Sequence, residues 1–401
     1  MTEYDKKKEE EAKAYIKETF IEDLKECLKN GTVPLWERGF RYENKFLELR
    51  GKKPYNFCNT ILLLRAWLKR EENGLENTIP MVGTFKAWKG LNDVSDAKED
   101  KGKAISVKKG AKGTPIVMTV PHYWVNKKLV QDEDRQKELE EILKSALSDK
   151  NRQRILAPFV ESGEICLSVS LKLSNVFFLD DVENISTEYK EKLNKYCKGE
   201  GELIRDVEQN SEEYADKVVK AFTDKNDIKV INIKMGSEMF GDRFSSSPYW
   251  NRESREIVLP LKEQYNTLSG YYGTLFHELG HSTMVKDIER ADNRSFFGTK
   301  DYAVEEMVAE FFSCAMLNYF NMNENKDNHI AYLTSWGKRI CKDNNIQGQS
   351  SEDVLLKLFE DIDGKEMVYV MRKVDKALDS VFEVYRESEK GRGNENGGNE
   401  R

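Results

Sequence analysis

The stretch YYGTLFHELGHSTM, residues 271–284, limits what this chain can fold into more than any other part of it. His277 and His281 stand four positions apart, Glu278 follows the first directly, and the chain has only four histidines. Because residues four apart share one face of a helix, both imidazoles can reach one ion. The apolar neighbours of this pattern predict a buried helix, which favours a metal site over a pair of histidines on a surface helix. We therefore predict a zinc site in which Glu278 is the general base that activates a bound water.

A catalytic zinc keeps three protein ligands and one open position, so a third ligand has to come from another segment. The stretch DYAVEEMVAEFFSCAM, residues 301–316, has helical periodicity and places Glu306 and Glu310 on one stripe with apolar side chains. Carboxylates on such a stripe are costly to bury unless they pair or bind metal. We predict Glu306 as the third zinc ligand and Glu310 as the acceptor of a hydrogen bond from a liganding histidine. Glu305 is the rival for the ligand position, and His329 is a weaker rival because it is predicted to begin the next helix.

Length and patterning predict two domains. A chain of 401 residues with 39% hydrophobic content can bury more than one core. Strand-like runs are concentrated in the first half and helical periodicity in the second, which predicts an α+β protein. We expect a mixed α/β N-terminal domain over residues 1–185, with a charged insertion near 126–163. A mostly helical domain with a small sheet should follow over 186–388, and the end, 389–401, should be disordered because it lacks apolar residues.

The charge of the chain is distributed unevenly. The formal net charge is -7, yet residues 31–130 carry 19 Lys and Arg against 10 Asp and Glu, and residues 101–130 contain seven lysines and no acidic residue. Lysines that follow a phosphate backbone, together with aromatic rings that stack on bases, are what sequence-independent binding of single-stranded DNA requires. The candidates for such a surface are Lys86, Lys108, Lys109, Lys112, Tyr55 and Trp88, with Phe85 and Trp124 among the aromatic residues around them. The alternative is a solvated hairpin whose aromatic side chains belong to the core.

Three local patterns predict how particular segments fold. Two β-rich runs within residues 104–125 surround a Gly-rich turn and predict a hairpin. The run NTILLLRAWLKREENG predicts a helix capped by Asn59. The run REIVLP, residues 255–260, is expected to be the edge strand over the cleft that receives an extended peptide.

Taken in order, these motifs resemble a known family. The stretches SPYWNRESREIVLP, YYGTLFHELGHST, DYAVEEMVAEF and AYLTSWGKRI resemble the C-terminal metallopeptidase domain of ArdC-type antirestriction proteins. The stretches KPYNFCNTILLL, VGTFKAW and AISVKKGAKGTPIVM are similar to that family's N-terminal domain, which binds single-stranded DNA. The resemblance covers most of residues 10–370, and one departure is Gly83, near which the family commonly has an aromatic residue.

The resemblance implies a zincin-like fold carried by plasmids and by conjugative or phage elements, whose members protect incoming DNA from host restriction. The family's first histidine, general-base glutamate, second histidine and downstream glutamate carry over to His277, Glu278, His281 and Glu306. The hypothesis is therefore an antirestriction protein of a mobile element that binds single-stranded DNA and carries a zinc-dependent peptidase site. Two alternatives remain: an intracellular zinc protease that cleaves a repressor or another protein, and a non-catalytic DNA-shielding protein with a structural zinc.

The first residues and the cysteines predict where such a protein works. The first twenty residues are charged throughout and lack the apolar stretch of a secretory signal, and no apolar run approaches the length of a membrane span. The six cysteines are scattered without CxxC spacing, which is typical of a reducing compartment. We expect a cytoplasmic protein whose partners are single-stranded DNA, an unidentified protein or peptide substrate and Zn²⁺, with no membrane association.

Overall fold

The computed structural model describes residues 3–30, 46–75, 79–126, 128–148, 165–197, 211–234, 248–283, 300–322 and 350–396. The chain divides into two compact units, one formed by residues 1–15 and 115–174, and the other by residues 16–114 and 175–401. These units group distant segments of the chain and do not test the predicted domain boundary at residue 185, which stays a prediction.

The helices follow the apolar periodicity of the sequence. In the first helix, Ile16, Phe20 and Leu24 recur every four positions and are at most 1% exposed, as one buried face requires. The helices are α1 (Glu3–Asn30), α2 (Phe57–Glu72), α3 (Phe85–Gly90), α4 (Glu133–Ser148), α5 (Thr187–Cys197), α6 (Ser211–Lys225), α7 (Leu268–Ser282), α8 (Lys300–Tyr319), α9 (Ser351–Asp361) and α10 (Gly364–Asn396). The last helix continues to Asn396, so the described part of the tail from residue 389 is helical where we expected disorder. Glu389 and Lys390 are good helix formers and extend the helix past its apolar face, whereas Gly391 and Gly393 are poor ones.

The strands form two sheets and a short pair. They are β1 (Leu47–Glu48), β2 (Met81–Thr84), β3 (Ser106–Val107), β4 (Thr114–Val125), β5 (Lys128–Leu129), β6 (Ile165–Phe178), β7 (Val182–Glu183), β8 (Lys229–Ile233), β9 (Tyr249–Asn251) and β10 (Glu256–Pro260). The five-stranded sheet has the order β1-β2-β6-β4-β5, the three-stranded sheet has the order β8-β10-β9, and β3 pairs with β7. In the larger sheet, β1 and β2 run parallel while β2 and β6 run antiparallel. A mixed sheet in the first half and a mostly helical second half with a small sheet confirm the predicted α+β class.

The predicted hairpin over residues 104–125 does not form. Its first run, β3, pairs antiparallel with β7, and its second run, β4, lies in the five-stranded sheet. Burial explains the difference, because Ile105, just before β3, and Val182 in β7 belong to one hydrophobic cluster. The basic loop that follows β3, residues 108–113, therefore begins beside β7.

Helix α2 begins three residues earlier than predicted. Its N-cap is Asn56, whose side chain accepts a hydrogen bond from the backbone N–H of Asn59 at 2.9 Å. Asn59 itself is a buried residue inside the helix. The earlier start adds Phe57 and Cys58 to the buried face, and this additional apolar burial favours the cap at residue 56.

Strand β10 lies at the centre of its sheet, so the prediction that residues 255–260 form an edge strand is wrong. It pairs parallel with β8 on one side and antiparallel with β9 on the other. Ile257, Val258 and Leu259 are all buried, and a continuous apolar run of this kind is typical of a strand covered on both faces. Among the strands that the structure describes, β9 is the outer neighbour of β10.

Two further observations concern membrane-spanning helices and cysteines. Among the described helices, none combines the length and the apolar character that crossing a bilayer requires. Cys27, Cys58, Cys197 and Cys314 are free thiols.

Candidate metal centre

The two predicted metal motifs meet because α7 and α8 approach each other closely. A Cβ at Gly280 would lie 3.1 Å from the Ala309 Cα and 3.1 Å from the Phe312 ring, so only glycine lets the two helices come this near. Two turns earlier on α7, the Ser313 hydroxyl of α8 donates to the carbonyl of Gly273 at 2.7 Å. These contacts set the HELGH turns of α7 opposite the EExxAE turns of α8.

Three side chains direct their ligand atoms to one point between these helices. His277 Nε2 lies 3.2 Å from His281 Nε2, and the two oxygens of Glu306 lie 3.5 Å from His277 Nε2 and 3.4 Å from His281 Nε2. Ligand atoms about 2.0–2.1 Å from a tetrahedral zinc ion stand ~3.3–3.4 Å from one another. The spacing of these atoms therefore fits a metal ion of this size, and the three residues form a candidate divalent-metal site.

A second pair of carboxylates orients the imidazoles. His277 Nδ1 lies 2.8 Å from Glu310 Oε2, and both side chains are buried. His281 Nδ1 lies 3.4 Å from Glu305 Oε1. Because an ionised carboxylate only accepts hydrogen bonds, each Nδ1 donates, and each Nε2 is left with a lone pair for a metal. Glu305 thus faces the outer nitrogen of His281, while the two oxygens of Glu306 lie close to both Nε2 atoms.

The charges around the site favour a cation. Burial by itself lowers the pKa of His281, yet the negative charge of Glu306 and hydrogen bonds with Glu305 and Glu306 hold that pKa well above its ordinary value. Burial likewise raises the pKa of Glu306, while attraction to His281 and hydrogen bonds from both histidines hold it well below its ordinary value. A site that holds protons this strongly favours positive charge, and a divalent cation can take the place of those protons.

Glu278 lies beside the ligands and is buried, with 6% of its surface exposed. Its negative charge also acts on His281. Within the described part of the chain, its carboxylate has no hydrogen bond to another side chain. His329, the weaker rival for the third ligand, lies outside the described residues.

The structure leaves most of the candidate DNA-binding residues accessible. Lys86, Lys108, Lys109 and Lys112 are exposed, and Tyr55 is half-buried. Among the described residues, none of these four lysines forms an ion pair with a carboxylate. Their charges are therefore available to a phosphate backbone.

Trp88 is a core residue, which corrects its assignment as a stacking residue. It has no exposed surface, and its Nε1 donates to the Phe177 carbonyl at 3.0 Å. A buried indole with a satisfied N–H offers no face to a base. The same ring explains Gly83, because a Cβ there would lie 3.1 Å from Trp88 Nε1 and 3.1 Å from Leu49 Cβ.

The sequence did not identify Glu305 as a partner of His281. Two successive turns of one helix carry Glu305, Glu306 and Glu310, and periodicity places only the last two on one stripe. Glu305 lies beside that stripe, and sequence spacing alone does not predict its contact with His281 Nδ1.

Two family models match the chain. The model described as zincin-like metallopeptidase matches residues 235–350, which include both metal motifs. The model described as the N-terminal domain of the anti-restriction factor ArdC matches residues 14–154, which include the basic loop.

Two curated relatives are much longer than the segments they share with this chain. DNA primase TraC of Escherichia coli is 27% identical over 290 residues, which is 68% of this chain and 17% of TraC. The uncharacterized protein y4eC of Sinorhizobium fredii is 27% identical over 99 residues, which is 24% of this chain and 32% of that protein. The chain therefore spans well under two thirds of the length of either relative.

Two solved structures of one protein also align with the chain. The metal-free structure of the antirestriction protein ArdC from plasmid R388 is 18% identical with a TM-score of 0.48, over 93% of this chain and 97% of that one. Its Mn(II)-bound structure gives 17% identity and a TM-score of 0.49 over the same shares. The family models, rather than these structures, decide the assignment: with the N-terminal domain of ArdC followed by a zincin-like metallopeptidase domain, the chain belongs to the ArdC-type antirestriction family.

Proposed function

We propose that this chain is a cytoplasmic antirestriction protein of a mobile element that binds single-stranded DNA and hydrolyses a peptide bond at a zinc centre. The observation that carries the peptidase part is the convergence of His277, His281 and Glu306, with the buried carboxylate of Glu278 directly beside them. A zinc ion in such a site lowers the pKa of a bound water to about 7. Glu278 lies on the same turn as the first ligand, where it can accept a proton from the attacking water.

The number of protein ligands favours a catalytic zinc over a structural one. Structural zinc sites are closed by four protein ligands, whereas catalytic sites use three. Within the described ranges the cluster has three ligands, His277, His281 and Glu306. A structural zinc also has no use for a buried general base at residue 278.

The peptide substrate is proposed to add to β9 rather than to β10. β9 packs against α7, which carries both histidines, and it is the outer strand next to β10 in the described sheet. An extended peptide can pair with the free backbone groups of an outer strand, while its side chains enter pockets on either side.

The peptidase proposal is tested with Glu278→Gln, with Glu263→Gln as the control because Glu263 is exposed just before the same helix. The isosteric amide keeps the fold and the metal but cannot take up the proton, so peptide cleavage should fall by about 10²–10⁴-fold. Glu263→Gln should cleave as the wild type does. Cleavage that survives in Glu278→Gln, at unchanged metal content, would contradict the mechanism.

The same two variants separate peptide cleavage from DNA protection. If Glu278→Gln still protects DNA from a restriction nuclease, protection does not need proteolysis, and the DNA-shielding alternative gains support. If protection is lost together with cleavage, the peptidase activity is part of the antirestriction function.

The DNA-binding part of the proposal rests on the exposed lysines of the basic loop, none of which pairs with a carboxylate among the described residues. Each phosphate neutralised on a single strand releases counterions, which gives a slope near −0.7 per contact in log affinity against log salt. Replacing Lys108, Lys109 and Lys112 together by Glu should lower affinity for single-stranded DNA and flatten this slope. The matched control is the same triple change at Lys217, Lys220 and Lys357, each of which already pairs with an acidic neighbour. Equal behaviour of the two triple variants would contradict the assigned surface.

A further inference from the structure

We propose that Phe85 is the side chain on which a base of the bound strand stacks, an inference that rests on the proposed binding of single-stranded DNA. Phe85 is 54% exposed, which makes it the most exposed large apolar side chain among the residues that the structure describes. Trp88, three residues later on the same short helix, is fully buried. Helix α3 thus uses one aromatic residue as an anchor and presents the other to solvent.

The register of the sheet brings Phe85 next to the basic loop. The antiparallel pairing of β2 with β6 ends at Thr84, opposite Val176, so Phe85 begins its helix beside Asn175. On the other side of Asn175 lies Gly113, where a Cβ would be 2.9 Å from the Asn175 Cβ. Neighbouring strands are about 5 Å apart, which places the end of the basic loop ~10 Å from Phe85.

A second path of contacts joins the other end of the loop to the same helix. α3 packs against β3, from which the loop departs. Just after α3, the Asn92 amide accepts from the Ile105 N–H and donates to the Ile105 carbonyl, both at 2.9 Å. Lys108 Nζ then donates to the Asp180 carbonyl at 2.8 Å, which fixes the first lysine of the loop.

The charges around Phe85 suit an anionic partner such as a phosphate backbone, and not a basic or neutral one. The segments 84–90, 108–113 and 175–178 carry five lysines and no acidic side chain. In the described part of the chain, none of the five, Lys86, Lys89, Lys108, Lys109 and Lys112, pairs with a carboxylate. An exposed ring among unpaired lysines is the combination that binds bases and phosphates of a single strand together.

In the described part of the chain, the other exposed aromatic residues lack this combination. The Tyr196 ring is covered by the ammonium group of Lys52, 4.6 Å from its centroid. Tyr369, 44% exposed on α10, has the buried Lys373 over its ring at 5.2 Å. Phe85 is also held in a fixed position, because Thr84 caps its helix and Trp88 anchors the other end.

The test compares Phe85→Ala with the wild type on two ligands of equal length, an oligothymidylate and an abasic single strand. Stacking on one base corresponds to a loss of about 5- to 150-fold in affinity for the oligothymidylate. The salt slope should stay as in the wild type, since no phosphate contact is removed. On the abasic strand the two proteins should bind alike, and Phe85→Trp should restore the affinity for bases. Tyr369→Ala is the control and should change nothing.

The possible outcomes separate this inference from the function on which it rests. If Phe85→Ala binds the oligothymidylate as the wild type does, while the lysine triple variant is weakened, stacking on Phe85 is wrong and DNA binding stands. An equal loss on the abasic strand would also overturn it, because the effect would then not involve bases. If the wild type does not bind single-stranded DNA at all, both the function and the inference are overturned.

Discussion

Outside the three proposed ligands, Glu310 is predicted to be the residue on which metal affinity depends most. Its carboxylate lies 2.8 Å from His277 Nδ1 in a buried setting, the length of a strong charge-assisted hydrogen bond. Glu305 holds His281 at 3.4 Å, with side-chain exposures of 14% and 15% for the two partners, so its hydrogen bond is weaker. Loss of such a partner costs about 10–100-fold in metal affinity, or ~1.4–2.7 kcal/mol. We expect Glu310→Ala near the upper end and Glu305→Ala near or below the lower end.

The assay is competition with a chromophoric zinc chelator at one fixed pH, for the wild type and both alanine variants. Glu310→Gln keeps an acceptor for the Nδ1 proton but loses the charge, so its zinc affinity should lie between those of the wild type and Glu310→Ala. Circular dichroism of each variant checks that the helices persist. An affinity that is unchanged in Glu310→Ala, or that falls further in Glu305→Ala, would refute this ranking.

Two further predictions concern the stability of the second unit. Gly280→Ala and Gly273→Ala gain the same helix propensity of ~1 kcal/mol, but only the Cβ added at residue 280 meets the backbone of α8, at 3.1 Å. Urea unfolding should therefore find Gly280→Ala less stable than Gly273→Ala by about 1–3 kcal/mol. Equal stabilities of the two variants would contradict the close approach of the helices. Asp375 accepts the Phe57 N–H of α2 at 2.9 Å, and burial, opposed by that hydrogen bond and reinforced by Asp379, raises its pKa to about 7. Because the pKa of Asp375 is raised in the folded state, the stability that its protonated carboxyl contributes is complete below about pH 4 and is lost as pH rises through 7. Asp375→Asn does not titrate, so the stability of this variant relative to the wild type should rise between pH 4 and 8. A constant difference in stability would contradict the raised pKa.

The metal motif could be predicted from sequence because its signal is local. The spacing of His277 and His281 and the stripe that carries Glu306 and Glu310 follow directly from helical geometry. What spacing could not supply is which nitrogen each carboxylate faces. That depends on how closely α7 and α8 pack, which in turn depends on Gly280.

Strand pairing could not be predicted in the same way because it is not local. β3 finds its partner in β7, more than seventy residues later, and β10 becomes a central strand because β8 pairs with it from a distant segment. Hairpin rules favour the nearest strand and so gave the wrong partner for residues 104–125. Which of Phe85 and Trp88 faces the core is equally undetermined by a six-residue helix, since it depends on the sheet beneath it.

The zinc content of the purified chain tests the central claim most directly. Elemental mass spectrometry should find about one zinc per chain in the wild type and in Glu278→Gln. His277→Ala should lose the metal and Glu306→Ala should retain little of it, while Glu305→Ala keeps most. Full zinc retention in both His277→Ala and Glu306→Ala would contradict the site, and loss in Glu305→Ala but not in Glu306→Ala would move the third ligand one residue back.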